Sequence, residues 1–235
     1  MSMETICECI RKNRTLVSLE KRVFIEKSIS EQSGKMEGIP SISTSVKLNP
    51  NCMRNRACKG SICEHCYANA YAGFRKTLRE KLEINTLFYT RYELTKKDIP
   101  KINSKYFRFE SFGDLINTTQ VKNYFTIARA NSDTYFVLWT KNPSIIGKAI
   151  LEGAKVPKNF RIIVSELYLN QPISGRYFAN LKSLFPFVSK IFSVYSPDYI
   201  QGHNIDINCG GRKCLECLRC YNKSDRTKLI REKLK

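Results

Sequence analysis

The sequence has little histidine and little tryptophan: His65, His203 and Trp139 are the whole complement in 235 residues. Two histidines so far apart make imidazole-based acid–base catalysis an unobvious scheme. No apolar run approaches the roughly 18 residues of a membrane span. The opening stretch MSMETICECIRKNRTLVSLEKR has no uninterrupted apolar segment of the kind a secretory signal needs. A cytoplasmic location and no membrane association are therefore expected. A Walker loop, a G-x-S-x-G elbow and an H-E-x-x-H helix are all absent, which sets aside P-loop phosphate chemistry, serine-esterase chemistry and the common zinc-protease site. Acidic residues are scarce too: 21 Asp and Glu stand against 40 Lys and Arg, a formal charge of +19.

Such an excess of positive charge favours contact with a polyanion, most simply DNA or RNA. RKNR (11–14), RKTLREK (75–81) and DRTKLIREKLK (225–235) are candidate phosphate-contacting segments, and each taken singly also reads as a solvated helix face. The oligomeric state is not legible.

Cysteine is what the chain has in quantity, with ten residues. Cys7 and Cys9 stand apart and read as free thiols. The other eight form two tight groups, Cys52, Cys58, Cys63, Cys66 and Cys209, Cys214, Cys217, Cys220. In a cytoplasmic chain such groups read as metal or cluster ligands, not as disulfides. A two-residue gap lets two thiolates converge on one metal or on adjacent corners of a cluster. Zinc ribbons pair two such knuckles well apart in sequence, whereas the run Cys214-x2-Cys217-x2-Cys220 is nearer the ferredoxin type of spacing. Spacing leaves zinc and iron–sulfur both open.

The pattern of elements predicts a mixed α/β chain. SISTSVKL (41–48) alternates as a first strand, and 64–97 reads as a helix with a break. KYFRFESFGDL (105–115) reads as a strand running into a turn, and TTQVKNYFTIARANS (118–132) as a helix with a Thr cap. TYFVLWT (134–140), FRIIVSELY (160–168) and SKIFSVYS (189–196) are strands apolar on both faces, as expected within a parallel sheet. Helices at 142–153 and 174–185 separate them. Repeated βα units in five or six strands predict a partial, open βα barrel with a parallel sheet, short of the eight strands of a closed one. Residues 1–38 form an N-terminal extension, 39–205 the partial barrel with the first cysteine group, and 206–235 a small cysteine-rich module with a basic C-terminal helix. The first cysteine group follows the first strand, where parallel α/β architectures place ligands.

The chain resembles the phage gene-product-88 family and a related phage three-cysteine-motif family, and its motif order looks like that of a compact radical S-adenosylmethionine (radical SAM) protein. GIPSIS, the cysteine group ending CEHCYA, RFESFGDL, FVLWTKNP and CGGRKCLECLRC carry this resemblance over roughly residues 38–222. It implies a [4Fe–4S] cluster on Cys58, Cys63 and Cys66, with one iron left for SAM and reductive cleavage to a 5′-deoxyadenosyl radical. Gly113 and Asp114 lie where such proteins hold the SAM amine. Thr140, Lys141, Ser165 and Glu166, at later strand ends, would face the same site. Cys209, Cys214, Cys217 and Cys220 would carry an auxiliary cluster. Cys52 is a fourth thiol upstream; as a ligand it would complete a zinc site or close the cluster to SAM. A phage-encoded chain would work in the host cytoplasm.

Three functions are then in view. The first is a phage or mobile-element iron–sulfur enzyme acting on a nucleic acid or nucleotide. The second is a non-enzymatic nucleic-acid-binding protein stabilised by Zn2+. The third is a zinc-dependent enzyme with Asp114 as its acid or base. More ordinary readings stand beside these: Asp114 as a turn or cap residue, Trp139 as core, Glu166 as an ordinary salt-bridge partner, and His65 as an exposed loop residue.

Overall fold

Period-2 alternation along the strands gives the sheet two different apolar faces. In β2 (Tyr106–Phe109), Phe107 and Phe109 point one way, and Tyr106 and Arg108 the other. In β3 (Tyr135–Thr140), Phe136 and Leu138 oppose Val137 and Trp139; in β4 (Phe160–Ser165), Ile162 opposes Ile163. With β1 (Ser41–Ile42), β5 (Lys190–Tyr195) and β6 (Leu229–Lys233) these strands form a single sheet. The computed structural model describes residues 1–234. Every neighbouring pair is parallel and the strands lie in sequence order, with β1 and β6 at the two edges, where Ser41 bridges to Ser30 and Glu232 to Cys209. This is the expected mixed α/β fold, compatible with a partial, open βα barrel.

Parallel neighbours require crossovers. Helices α5 (Lys76–Arg91), α6 (Thr118–Ala130), α7 (Pro143–Leu151) and α8 (Gly175–Leu184) all cover the face that carries Phe107, Phe109, Phe136, Leu138, Ile162 and Ile191. Asn117, not a threonine, caps α6: its side chain accepts from the Gln120 N–H at 3.0 Å. The N-terminal extension is part of this core. Ile6 and Ile10 of α1 (Met3–Arg11) and Phe24 and Ile25 of α2 (Ser18–Ser28) are fully buried in it. Between α2 and α5, the chain forms α3 (Pro50–Ala57) and α4 (Tyr67–Phe74), which flank the first cysteine group.

The opposite face is covered by the cysteine-rich segment. Tyr221, Leu218, Cys209, Cys214 and Cys220 pack with Ile39, Val137, Trp139, Ile163, Phe192 and Ile230. Two expectations change as a result. Residues 229–233 form strand β6, not a basic helix, and the cysteine segment lies within the β5–β6 connection instead of following the sheet. Lys, Arg, Leu and Glu are good helix formers, but Ile230 is buried, and pairing to β5 at five positions outweighs that local preference. The first strand is also shorter than expected, because Ser43, Thr44 and Ser45 leave the sheet and bury their side chains in loop contacts.

Candidate metal centres and active face

The first cysteine group is built on α3 and the loop after it. Asn49 caps α3, accepting from the N–H groups of Asn51 at 2.9 Å and Cys52 at 3.3 Å. Its amide donates to the carbonyls of Asp114 and Leu115 at 2.8 and 3.3 Å, so the start of α3 is tied to the loop after β2. Cys52 sits in the first turn of α3. Cys58 ends that helix, its thiol 3.4 Å from the Arg54 carbonyl. Cys63 lies in a 3-10 turn (Ile62–His65), and Cys66 precedes α4. Antiparallel bonds pin the loop to the segment after β4: Ile62 N–H to Leu167 O at 2.8 Å and Leu169 N–H to Gly60 O at 3.0 Å. The Tyr67 hydroxyl donates to the Ser111 carbonyl, a second tie to the loop after β2. Cys58, Cys63 and Cys66 are thereby held over the carboxyl ends of the strands.

Lys141 lies at the centre of this face. It bears electrostatically on Cys63, Asp114 and Glu166, and its Nζ is 3.3 Å from Ser165 Oγ. The structure thus brings Cys63, Asp114, Lys141, Ser165 and Glu166 together from four different segments. Burial pushes the Cys63 thiol up, and Lys141 acts against that rise. Burial raises Cys52 further, reinforced by Asp114, Cys63, Glu110 and Cys66. Cys52 thus faces the carboxylates of Asp114 and Glu110 as well as Cys63 and Cys66. Burial also raises Glu166, which accepts from the Tyr177 hydroxyl at 3.1 Å. His65 is exposed in the loop.

Asp114 is mostly committed to holding the loop. One carboxylate oxygen accepts from Thr140 Oγ1 at 2.6 Å and from its neighbour Leu115 N–H at 2.7 Å. The other accepts from Lys141 N–H at 2.8 Å, which leaves one lone-pair site. This clamp joins the end of β3 to the loop after β2, and it also occupies Thr140. Gly113 has φ +78°, and a Cβ there would fall 2.5 Å from the Thr44 carbonyl, 2.8 Å from Thr44 Oγ1 and 2.9 Å from Glu110 Oε2. Glycine is required by the approach of the two loops to each other.

Glu110 is the residue that sequence reasoning missed. It is buried at the end of β2 with φ +57°. Its carboxyl accepts from Thr44 N–H (3.1 Å), Thr44 Oγ1 (2.9 Å), Gln120 Nε2 (2.7 Å) and the Tyr124 hydroxyl (2.5 Å). Burial pushes its pKa up to about 8 in spite of these donors. The only signal in the sequence was a Glu between Phe109 and SFGD.

The second group surrounds a cavity of about 550 Å3, lined by Cys209, Cys214, Cys217 and Cys220 with Lys35 and Tyr221 among its other walls. Cys214 and Cys217 lie on a one-turn helix (Cys214–Cys217). Burial pushes Cys220 up to about 12. Lys35 Nζ donates to Cys209 Sγ at 3.0 Å and pairs with Glu232 at 2.5 Å, joining the lead-in of β1 to β6. Arg108 stacks 4.0 Å from the Trp139 ring, on the sheet face that the cysteine-rich segment covers, and acts electrostatically on Tyr67, Cys214 and Cys220. Its Nε has no hydrogen-bond partner among the described residues. Among those residues, no three His, Cys, Asp or Glu side chains are gathered to the spacing of a single bound ion. Among the described residues no helix is long and apolar enough to cross a membrane.

No curated protein and no solved structure matches the chain. A family described as gene product 88 matches residues 18–223, a span that takes in both cysteine groups and every strand except β6. With most of its length inside that match, the chain belongs to the phage gene product 88 family.

Proposed function

We propose that this protein is an iron–sulfur enzyme of the radical SAM-like kind, acting on a nucleic acid or nucleotide. One observation carries the reading: a three-thiol loop stands over the carboxyl ends of a sheet whose six parallel strands run in sequence order, facing Lys141, Ser165 and Glu166. That is where open parallel α/β folds keep their ligands. The donor set suits an iron–sulfur cluster, since Cys58, Cys63 and Cys66 are soft ligands on one loop, with Cys52 on α3 facing Cys63 and Cys66. The buried thiols need a strong positive charge nearby before they ionise, and a cluster supplies it. A [4Fe–4S] cluster held by Cys58, Cys63 and Cys66 would supply, with an electron donor, the reductive cleavage of S-adenosylmethionine. This chain's part is to bind and orient the cofactor. Lys141 Nζ suits a carboxylate and Glu166 an ammonium. Asp114 and Gly113 keep the loop in place, and Thr140 serves Asp114. The thiol-lined cavity of the second group suits an auxiliary cluster, and the charge of +19 suits a polyanionic substrate.

Anaerobic purification with metal and sulfide analysis tests this. Iron and sulfide with broad absorbance near ~400 nm are expected, and Cys52→Ala should keep the iron that Cys63→Ala loses. Stoichiometric zinc with no iron after anaerobic reconstitution overturns the reading and leaves a zinc protein.

A further inference from the structure

Four aromatic rings form a row that leads outward from the active face. Phe112, in SFGD, lies 5.7 Å from Tyr67 and 6.4 Å from Tyr71, centroid to centroid. Tyr71 lies 5.4 Å from Phe74. Tyr67 follows Cys66 directly and is held by its hydroxyl. Tyr71 and Phe74 lie further along α4 and face solvent, Phe74 at 69% exposure. The Arg75 guanidinium covers one side of this outer pair, 4.7 Å from the Tyr71 centroid and 5.7 Å from that of Phe74. An apolar ring left this open, beside a cation, gains nothing for the fold.

We propose that Tyr71, Phe74 and Arg75 form a stacking platform for the unpaired bases of a single-stranded nucleic acid, next to the first cysteine group. Flat rings accept any base face, and base–aromatic stacking is tolerant of sequence. Arg75 already lies against the rings, so its outward N–H groups can meet a phosphate. The surrounding charge has the right sign: residues 53–79 hold Arg54, Arg56, Lys59, Arg75, Lys76 and Arg79 against Glu64 alone. Arg54, Arg56, Lys59 and Arg75 are exposed and make no ion pair among the described residues. A duplex hides its base faces within its own stack, so the platform selects single strands. The inference rests on the proposed function for its choice of nucleic acid and needs no bound metal.

The test uses the full-length protein, purified anaerobically, with fluorescence anisotropy on short labelled single strands of DNA and of RNA and on the matching DNA duplex. Iron is measured on every sample. Both kinds of single strand are expected to bind more tightly than the duplex, and the tighter of the two identifies the natural class. Tyr71→Ala and Phe74→Ala should each weaken single-strand binding about tenfold, within roughly 5- to 150-fold. Phe74→Trp should restore it, Arg75→Gln should weaken it and lessen its salt dependence, and Leu184→Ala, an exposed apolar residue on α8, should leave it unchanged. All these side chains are exposed, so the variants should fold, with iron content as in the parent. If Tyr71→Ala and Phe74→Ala bind like the parent, or the duplex binds as well as the strands, the platform is refuted while the enzyme reading stands. If the iron-loaded parent binds no nucleic acid, the platform and the nucleic-acid substrate both fall. Platform-dependent binding by a protein that carries zinc and no iron would uphold the platform and overturn the enzyme.

Discussion

Replacing Gly113 by alanine should be among the most damaging one-carbon changes in the protein. The residue holds φ +78°, a region that costs an L-amino acid about 1–2 kcal/mol. The added methyl would lie 2.5 Å from a backbone carbonyl and within 3 Å of both Thr44 Oγ1 and Glu110 Oε2. None of these is the free end of a flexible side chain: Thr44 and Glu110 are buried and bonded to each other. Overpacking of that kind adds about 1–3 kcal/mol. The sum is about 2–5 kcal/mol, a large part of the roughly 5–15 kcal/mol by which a domain is stable. At this chain length it corresponds to a fall in Tm of about 4–20 °C. The assay is urea denaturation under anaerobic, reducing conditions, with Gly153→Ala as the matched control. Gly153 has φ +92° and nothing within 4 Å of its would-be Cβ, so it carries the backbone cost alone. Equal losses in the two variants would refute the account of two interlocked loops.

Two further outcomes follow from buried ionisable groups. Burial raises Glu110 to about 8, so the folded protein holds this proton while the unfolded chain releases it near pH 4.5. Stability should fall as pH rises between those values, by on the order of 1.4 kcal/mol per unit from this group; Glu110→Gln should flatten the slope, and an unchanged slope in pH-dependent denaturation would remove Glu110 as its source. Lys190, with a side chain 4% exposed, pairs with Asp225 at 2.6 Å and donates to the Thr227 carbonyl at 2.5 Å. Asp225→Ala leaves that ammonium buried and should cost about 3 kcal/mol, whereas Lys190→Met with Asp225→Ala should cost less; a loss under about 1 kcal/mol for the single variant counts against the pair.

The strands and most helices were legible because their apolar residues repeat with clear periods. Val137 and Trp139 alternate with Phe136 and Leu138, and each set proved to have its own cover. The place of the first cysteine group followed from its position after a strand. The role of Asp114 was less legible, because a carboxylate that clamps a turn and one that binds a ligand look alike until Thr140 and Lys141 N–H are in view. Glu110 carries no local sign of its left-handed backbone or its four donors. LIREK read as helix because its residues favour helices, and only the edge of β5 makes it a strand. The closeness of Lys35 to Cys209 is a long-range fact that no window of sequence displays.

The lining of the sheet's second face has a kinetic consequence. Ile39 and Ile230 share one buried cluster there, and Lys35 reaches Glu232 across 197 positions of sequence. Contacts this remote form late, because their loop-closure entropy must be met first. In any state where the parallel strands pair before the segment through Ile230 docks, Val137, Trp139 and Ile163 would be left bare. The cysteine segment is thus what keeps that face of the sheet dry, and a metal bound by its thiols would tighten the seal.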